Sequence, residues 1–226
     1  MDKFVTIISK NGIKSKPVSI RETIRKKNTT LFNTPKNKKL ETIDKIGERM
    51  IRERERIKYD VFTDGSCLNN CRRSTKSIGG IGVFWGDNDL RKTAERLLIK
   101  PITNNRTELQ AIIVAVETFE LFDINNKKNN ILVIHSDSNY CIKTMTSFIH
   151  SWKKRGWLKS NGKEPLNLDL ICKLDNLIQK NVKKFKVEFK HVRAHKKEPR
   201  DKSSIKHYYW YGNDKADKLA RLGGKK

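Results

Sequence analysis

The sequence contains no apolar run long enough to cross a bilayer. It also contains no charged-then-apolar segment of the kind that directs secretion. These two absences argue against a membrane-embedded protein and favour a soluble, intracellular one, in the cytoplasm or the nucleus. We therefore expect no membrane among its partners.

Cysteine is scarce as well, with only Cys67, Cys71, Cys141 and Cys172 in the chain. Cys67 and Cys71 are close in sequence, but a zinc site would need two further close ligands. Cysteines of an intracellular protein are usually kept reduced. The sequence therefore predicts four free thiols and no zinc.

Acidic residues are in the minority. The chain has 25 Asp and Glu against 50 Lys and Arg, which gives a formal net charge of +25. Such an excess indicates a polyanionic partner, most simply nucleic acid, with an anionic membrane surface as the rival interpretation. The length of 226 residues fits one domain of ordinary size or one domain with an extension.

Residues 1–57 differ from the rest of the chain in composition. Lys and Arg outnumber Asp and Glu there by more than two to one, and the only aromatic residues are Phe4 and Phe32. The segment KNTTLFNTPKNKKL is polar and rich in turn-forming residues, whereas ETIDKIGERMIRERERIK has helical apolar spacing. We predict a basic N-terminal arm, partly disordered and ending in a helix, followed by one domain over 58–226.

From residue 58 onward the patterns alternate between strand and helix. The segments with strand patterns are KYDVFTD, IGGIGVFWG, LRKTAERLLI, NNILVIHSDS and FKVEFKHV. The segments with helical patterns are TNNRTELQAIIVAVETFELF, NYCIKTMTSFIHSW, LNLDLICKLDNLIQK and GNDKADKLARLGG. The order β-β-β-α-β-α-α-β-α predicts a mixed α/β fold, with a central sheet of about five strands flanked by helices. The glycines of IGGIGVFWG suggest a close backbone approach or a bulge.

Four acids stand where these elements can bring them together. Asp64 and Asp137 each end a predicted apolar strand. Glu108 lies in the first turns of a helix, and Asp214 lies at the predicted start of the last helix. Singly each is ordinary, because Asp-Gly is a common turn pair and helix starts favour acids. Converging carboxylates, however, repel one another unless divalent cations neutralise them, and oxygen ligands suit Mg²⁺ or Mn²⁺. In so basic a chain this predicts a two-metal phosphodiesterase.

Six segments, in order, resemble those of type 1 ribonuclease H. They are FTDGS, GIGVFWG, TNNRTELQAI, SDSNY, SWKKRGWLKSNGKEPLN and HVRAH…GNDKADKLA. The eukaryotic branch is the closer match, because it carries the Trp-Lys-Lys loop of a basic protrusion. The match runs from about residue 58 to 224. The tripeptide Asp-Gly-Ser alone does not indicate a family, whereas six motifs in the right order indicate one strongly.

The resemblance implies an RNase H-like fold and an endonuclease that hydrolyses the RNA strand of RNA–DNA hybrids. The expected products carry 5′-phosphate and 3′-hydroxyl ends, and little sequence specificity is expected. The resemblance also implies two Mg²⁺ ions per site, with Mn²⁺ as a substitute, and no small-molecule cofactor. The expected partner is the hybrid duplex, bound by a monomer.

The resemblance assigns roles by position. It implies metal binding and catalysis by Asp64, Glu108, Asp137 and Asp214. Asp214 is preferred to Asp217, one helical turn further on, because it follows the Gly-Asn pair. His195 matches a histidine that assists proton transfer and product release. Contacts to RNA 2′-hydroxyls are implied for Asn104, Asn105 and Asn70. Contacts to the DNA strand are implied for Thr103, Asn167, Tyr140, Trp152, Lys153 and Lys154.

The chain departs from the family pattern at three places. The segment KKEPRDKSSIKHYYWY, residues 196–211, lengthens a loop that is usually short. Ala194 replaces a common glycine, and Pro101 replaces an arginine that grips phosphate. The long segment is basic at one end and aromatic at the other, which leaves three interpretations: a mobile flap, an extra nucleic-acid contact or a packing insertion. The arm, finally, lacks the aromatic-rich hybrid-binding module of many eukaryotic relatives.

Two other functions fit the same fold. One is a binding module that has lost catalysis, and the intact set of acids argues against it. The other is an integrase, a transposase or a junction resolvase. Those enzymes share a carboxylate cluster but lack the Trp-Lys-Lys protrusion and the paired asparagines. The recognition residues therefore favour the ribonuclease.

Overall fold

The computed structural model describes residues 57–68, 77–122, 130–194 and 196–226, and the backbone of two residue pairs earlier in the chain. The chain divides into two compact units, Met1–Met50 and Ile51–Lys226. In the first unit, strands β1 (Phe4–Val5) and β2 (Val18–Ser19) pair antiparallel. The helix predicted at the end of the arm lies outside the described residues.

Among the described residues of the second unit, a mixed sheet is combined with five α-helices. The strands are β3 (Lys58–Leu68), β4 (Ile78–Phe84), β5 (Thr93–Leu97), β6 (Asn130–Ser136) and β7 (Phe185–His191). The helices are α1 (Asn104–Phe122), α2 (Asn139–Lys143), α3 (Ile149–Lys154), α4 (Leu168–Asn181) and α5 (Ile205–Gly223). A π-helical turn, Thr144–Phe148, joins α2 to α3. This order confirms the predicted alternation of strands and helices.

The sheet has the strand order β5-β4-β3-β6-β7. Strands β3, β4 and β5 pair antiparallel in sequence, whereas β6 pairs parallel to β3 and β7 pairs parallel to β6. The first and fourth strands of the sheet in chain order, β3 and β6, are therefore neighbours. This arrangement confirms the predicted mixed α/β fold with about five strands.

Strand β3 is longer than its parallel neighbour. Its pairing with β6 ends at Phe62 opposite His135, but its pairing with β4 continues to Leu68. Asp64 therefore lies inside a strand and not at its end, which corrects the sequence-based prediction. The extension exists because β4 still supplies backbone partners on the other side. Asp64 and Asp137 each lie two residues beyond the last parallel pair, so both stand at the same edge of the β3–β6 pair.

Helices cover both faces of the sheet. On one face the apolar stripe of α1, with Ile112 and Phe119 at its centre, is buried in the same core as Val61 of β3. On the other face α5 buries Ala216 in a smaller core with Phe62. Because successive strand residues point to opposite faces, Val61 and Phe62 belong to different cores.

The last helix begins earlier than the sequence predicted. Helix α5 starts at Ile205, seven residues before Gly212, so the second half of the 196–211 segment is helical. Ser204 caps this helix, because its hydroxyl accepts a hydrogen bond from the backbone N–H of His207 at 3.2 Å. The predicted start near Gly212 is wrong because the true cap stands two turns upstream.

Tyrosines of these added turns pack against the sheet. The ring of Tyr208 lies 5.5 Å from that of Phe62, and the ring of Tyr211 lies 6.1 Å from that of Phe84, both edge-on. Aromatic pairs of this geometry stabilise a core beyond their buried area. Of the three interpretations of the 196–211 segment, a packing insertion is therefore the one that fits its tyrosines.

Within the described part of the chain, no helix combines the length and the apolar character needed to cross a membrane. Cys67, Cys141 and Cys172 are free thiols, as predicted. Cys71 lies outside the described residues, so the prediction for this cysteine stands untested.

Candidate active site

Gly65 allows helix α1 to approach strand β3 very closely. A Cβ atom at this position would collide with the backbone nitrogen of Glu108, so a larger residue would push the helix away. The contact places Glu108, near the start of α1, beside Asp64, the residue before Gly65. The Asp-Gly pair is therefore no turn. It is the point where an acid-bearing strand and an acid-bearing helix meet.

Three carboxylates converge here, from Asp64 of β3, Glu108 of α1 and Asp137, which directly follows β6. One carboxylate oxygen of each lies within 4.8 Å of the others. Asp64 and Glu108 are each only 6% exposed, and Asp137 is half-buried. We refer to these three residues as the acid cluster. The sequence predicted that they would meet, and the structure brings them together.

Burial and mutual repulsion govern the ionisation of the acid cluster. Burial raises the pKa of Asp64 to about 8, and the charges of Asp137 and Asp217 add to this increase. Burial, followed by the charges of Asp64 and Asp137, raises the pKa of Glu108 well above its ordinary value. A hydrogen bond from the backbone of Gly65 lowers both pKa values, but less than burial raises them. The ionised cluster is therefore unfavourable by itself.

The acid cluster fits divalent cations. The Oε2 atom of Glu108 is buried and has no hydrogen-bond partner in the described part of the chain. A buried, unpaired carboxylate is costly, and a nearby cation removes that cost. All three side chains offer carboxylate oxygens, the ligands that Mg²⁺ and Mn²⁺ prefer. The site is compatible with divalent metal binding.

A fourth acid approaches from α5, and the structure favours Asp217 over Asp214 for this place. The carboxyl groups of Asp217 and Asp64 are close enough to share a hydrogen bond, which helps to raise the pKa of Asp64. Asp214 lines the same cleft, but its carboxylate is paired with Lys218 at 2.6 Å. Asp217 in turn is paired with Arg221 at 3.0 Å. The structure thus favours Asp217, one helical turn beyond the predicted Asp214, and the role of Asp214 stays a prediction.

Helix α5 reaches the acid cluster because it lies directly on β4. A Cβ atom at Gly82 would collide with the carbonyl oxygen of Ala216, so the glycine permits the contact. This confirms that the glycines of IGGIGVFWG mark a close backbone approach. From the same helix, Asn213 donates a hydrogen bond from Nδ2 to Oδ2 of Asp137 at 3.3 Å. Asn213 is buried and orients one acid, a role that the sequence did not predict.

The acid cluster lies in a cleft of about 930 Å³. Asn104 and Asn105, which begin α1, line this cleft, as does Tyr140 of α2. The basic side chains that line it are those of Arg193, Lys196, Arg221 and Lys225. The cleft therefore combines a cluster suited to cations with walls suited to phosphates and hydroxyl groups.

An ion pair joins α1 to α4. Arg106 donates two hydrogen bonds to the carboxylate of Asp169, at 2.7 and 2.6 Å. The Arg106 side chain is 4% exposed, the Asp169 side chain is 58% exposed, and the hydrogen bond from Arg106 lowers the pKa of Asp169. We call this pair the clamp. It brings together the N-terminal ends of two helices, where backbone N–H groups favour an anion.

Two residues predicted to contact DNA lie at these helix starts. Thr103 precedes α1, and its carbonyl accepts backbone hydrogen bonds from Arg106 and Thr107, both at 3.0 Å. Asn167 precedes α4 with a φ of 62°, and its side-chain amide donates to the hydroxyl of Tyr140 at 3.1 Å. The structure brings Thr103, Asn167 and Tyr140 to one region beside the clamp.

The residues predicted to contact DNA around α3 differ in exposure. Trp152 is buried, with 9% exposed, and its ring lies 5.6 Å from that of Phe148. Lys153 donates to Asp175 of α4 at 2.7 Å, and Lys154 is exposed. Trp152 therefore anchors its helix in the core, which restricts its predicted DNA contact to a small edge of the ring.

Two predicted site residues, Asn70 and His195, lie outside the described residues. Their proposed roles stay predictions. The residues on either side of His195, Ala194 and Lys196, both line the cleft.

Comparisons with known proteins identify relatives for most of the chain. The family described as RNase H matches residues 56–225. A ribonuclease H of Schizosaccharomyces pombe is 36% identical over 163 residues, covering 72% of this chain and 52% of that protein. A ribonuclease H of Mannheimia succiniciproducens is 36% identical over 140 residues, covering 62% of this chain and 78% of that protein. The chain spans about half the length of its eukaryotic relatives, including human ribonuclease H1.

A solved structure shares the architecture. The crystal structure of LC9-RNase H1, described as a type 1 RNase H with the type 2 active-site motif, is 26% identical and has a TM-score of 0.52. The likeness covers 75% of this chain and 73% of that one. The mixed sheet with its flanking helices is thus an RNase H-like fold, as the ordered motifs predicted.

Proposed function

On the premise that this chain belongs to the RNase H family, we propose that it is an endoribonuclease that hydrolyses the RNA strand of RNA–DNA hybrids. One observation carries the proposal: the acid cluster lies in a cleft that is also lined by basic and amide side chains. The relatives named ribonuclease H support the same reaction. In this proposal residues 58–226 form the catalytic domain and residues 1–57 form a basic arm.

The acid cluster would hold the divalent cations, and Asp217 would complete the set from α5. We propose two Mg²⁺ ions per site, replaceable by Mn²⁺. Bound there, such ions supply an activated water and stabilise the leaving oxygen of a phosphodiester. Asn213 holds Asp137 in orientation through its 3.3 Å hydrogen bond. Asp214 then belongs to the cleft wall, where Lys218 neutralises it.

Recognition of the RNA strand is proposed for the start of α1. Asn104 and Asn105 line the cleft next to the acid cluster. An amide side chain can both donate to and accept from a 2′-hydroxyl group, the feature that distinguishes RNA from DNA. Glu108 would sense the 2′-hydroxyl beside the scissile phosphate, and Asn70 would add a further contact.

Recognition of the DNA strand is proposed for the region around the clamp. Two helix N-termini meet there, an arrangement that favours a phosphate group. The residues proposed to contact the DNA strand are Thr103, Asn167, Tyr140, Lys153, Lys154 and the exposed edge of Trp152. Phosphate contacts of this kind are independent of sequence and weaken as salt rises.

The proposed products carry 5′-phosphate and 3′-hydroxyl ends. His195, next to the cleft-lining residues Ala194 and Lys196, would assist proton traffic and product release. No described element is suited to reading base edges in a groove, so we propose little sequence specificity.

The proposal is tested by incubating the purified chain with an end-labelled RNA–DNA hybrid, double-stranded RNA and double-stranded DNA. Each substrate is tested with Mg²⁺ and with EDTA and resolved on a denaturing gel. We expect internal cuts in the RNA of the hybrid alone, abolished by EDTA. Tight hybrid binding without cutting would instead support a binding module, and cutting of double-stranded DNA would support a different nuclease of the same fold.

A further inference from the structure

We propose that Trp210 is a substrate-contact residue, which packs on the RNA strand to one side of the cleaved bond and strengthens binding of the hybrid. The inference rests on the proposed function and adds a determinant of substrate affinity to it. Trp210 belongs to the 196–211 segment, the insertion that the family pattern does not explain.

The aromatic residues of this insertion divide between two surfaces. Tyr208, Tyr209 and Tyr211 turn to the sheet, where their rings meet those of Phe62, His135 and Phe84. Trp210 lines the cleft instead. Packing of the insertion on the sheet therefore accounts for the tyrosines and leaves the tryptophan unexplained.

Trp210 lies on the same face of α5 as the residues of that helix that surround the acid cluster. Residues three, four and seven positions apart share a face of a helix. Asn213, Asp214 and Asp217 stand at these spacings after Trp210, and all three line the same cleft. One helix face thus carries the aromatic ring at one end and the fourth acid further along.

The ring of Trp210 is held in a fixed orientation. Its indole Nε1–H donates to the backbone carbonyl of Lys196 at 2.9 Å, and the ring of His207 lies 5.6 Å from it. Its only polar atom is therefore already used, and what Trp210 offers to the cleft is ring surface. A ring fixed before binding loses little conformational entropy when a ligand packs on it.

Basic residues beside Trp210 suit a nucleic-acid strand. Lys196, whose carbonyl holds the indole, and Arg193 both line the cleft. A positively charged groove with an aromatic ring is a combination by which proteins hold single-stranded nucleic acid without reading its sequence, and the same surfaces can contact the backbone of one strand of a duplex. This chemistry agrees with the low sequence specificity that we propose.

Trp210 lies some distance along α5 from the acid that we place beside the reacting bond. Asp217 lies seven residues further, about 10 Å at a rise of 1.5 Å per residue. A strand of a duplex advances about 3.4 Å per nucleotide, so Trp210 lies within roughly three nucleotides of the cleaved phosphate. It is placed to hold the strand beside the bond, and not to take part in the chemistry.

Two substitutions separate the ring from its hydrogen bond. Trp210→Ala removes both, whereas Trp210→Phe keeps a smaller aromatic ring and loses the hydrogen bond to Lys196. Tyr208→Ala is the matched control, because it removes an aromatic ring from the same helical turn on the sheet side. Each variant is compared with the wild-type chain by steady-state cleavage of a labelled hybrid and by the Kd for that hybrid in EDTA. Thermal unfolding checks that each variant is folded.

We expect Trp210→Ala to raise KM and Kd by roughly 5- to 10-fold, the lower end of the range for single-stranded bases because the bases of a duplex stay paired, and to change kcat far less. Trp210→Phe should recover most of this loss, and Tyr208→Ala should leave both constants within about twofold of wild type. A Trp210→Ala variant with wild-type Kd would overturn the inference. So would an equal loss in Trp210→Phe, because the hydrogen bond and not the ring would then matter.

Shortened hybrids locate the contact. If Trp210 packs beside the cleaved bond, trimming the duplex from one end should abolish the difference between wild type and Trp210→Ala, while trimming the other end should preserve it. A difference that survives both truncations would overturn the inference. A wild-type chain that binds the hybrid but never cuts it would contradict the proposed function alone, since the Kd comparison would still decide the role of Trp210.

Discussion

The acid cluster and the clamp each include a residue near the start of α1, but their carboxylates have opposite electrostatic surroundings. Arg106 and Glu108 are two residues apart on α1, yet Arg106 is directed to Asp169 of α4 and not to the acid cluster. The pKa of Asp169 is consequently lowered by its hydrogen bond to Arg106. The pKa of Glu108 is raised by burial and by neighbouring acids.

This difference shows that a base stands close in sequence to the acid cluster but pairs with a different acid. The chain carries twice as many bases as acids, and the arginine two residues before Glu108 is paired with Asp169. A cluster built for stability would be paired like the clamp. Leaving two buried carboxylates and one half-buried carboxylate to repel one another is unfavourable for the fold and favourable for binding divalent cations. Four predictions test this comparison.

The largest effect is expected at the acid cluster. Asp137→Asn keeps the shape of the side chain and removes one ligand charge, so we expect kcat for hybrid cleavage to fall by about 10³-fold or more, since metal-ion catalysis supplies several kcal/mol. Its far-ultraviolet circular dichroism should match wild type. The matched variant in the clamp, Asp169→Asn, should retain cleavage within about tenfold. Comparable cleavage by the two variants would remove the distinction between the two groups.

The next effect separates the two acids of α5. Asp217→Asn should lower kcat by about 10²-fold, because Asp217 lies against Asp64. Asp214→Asn should lower it by less than tenfold, because Asp217 and not Asp214 is the acid of α5 that contributes to raising the pKa of Asp64. Both variants are measured at saturating hybrid. The opposite order of the two effects would restore Asp214 as the fourth acid.

A smaller effect is expected in the stability of the metal-free chain. The folded pKa of Asp64 is about 8, above its unfolded value, so the folded state binds more protons between about pH 4 and pH 8. Stability should therefore fall as pH rises from 5 to 8, by about 4 kcal/mol, since one extra bound proton corresponds to about 1.4 kcal/mol for each pH unit. Urea unfolding in EDTA measures this slope.

Two additions sharpen that measurement. Mg²⁺ at pH 8 should restore the lost stability, because a ligand that binds only the folded state stabilises it. Asp64→Asn should flatten the slope in EDTA. A wild-type chain whose stability is constant from pH 5 to 8, with or without Mg²⁺, would show that the cluster carries no unfavourable charge.

The smallest effect is expected at the clamp. Arg106→Ala should lower the free energy of unfolding by about 1–3 kcal/mol, the usual range for hydrogen bonds to charged groups. Asp169→Ala should cost at least as much, because it leaves the buried Arg106 guanidinium, which is only 4% exposed, without its carboxylate. A double-mutant cycle on these two residues gives their coupling energy. A coupling near zero would mean that this ion pair does not help to hold α1 against α4.

Much of this organisation could be predicted from sequence, because it depends on local patterns. The apolar runs before Asp64 and Asp137 marked neighbouring strands, and Asn104 to Glu108 marked the start of a helix. Once both strands were assigned to one sheet, convergence of Asp64, Glu108 and Asp137 followed. The glycines of IGGIGVFWG likewise predicted a close contact, although not with which helix.

The preference for Asp214 over Asp217 rested on a helix start that the structure corrects. Gly212-Asn213 looked like a helix start, but the helix begins at Ser204, so these residues lie in its interior. The small residues Gly212, Ala216 and Ala220 recur every four positions, which is the spacing of a helix face lying on a sheet. That signal, read together with the tyrosines before it, would have extended the helix.

Other contacts could not be predicted because their partners are distant in sequence. Arg106 and Asp169 are 63 positions apart, and nothing local to either residue indicates the other. The hydrogen bond from Asn213 to Asp137 spans 76 positions and depends on how α5 lies on the sheet. Burial of Trp152 likewise depends on the tertiary packing of α3.

The most direct test of the central claim is anomalous diffraction from crystals of the wild-type chain grown with Mn²⁺ and a hybrid. We predict two anomalous peaks, each bounded by carboxylates of the acid cluster, with none at the clamp. An empty acid cluster in crystals that bind Mn²⁺ elsewhere would contradict the account, because divalent cations would then not be what the converging carboxylates bind.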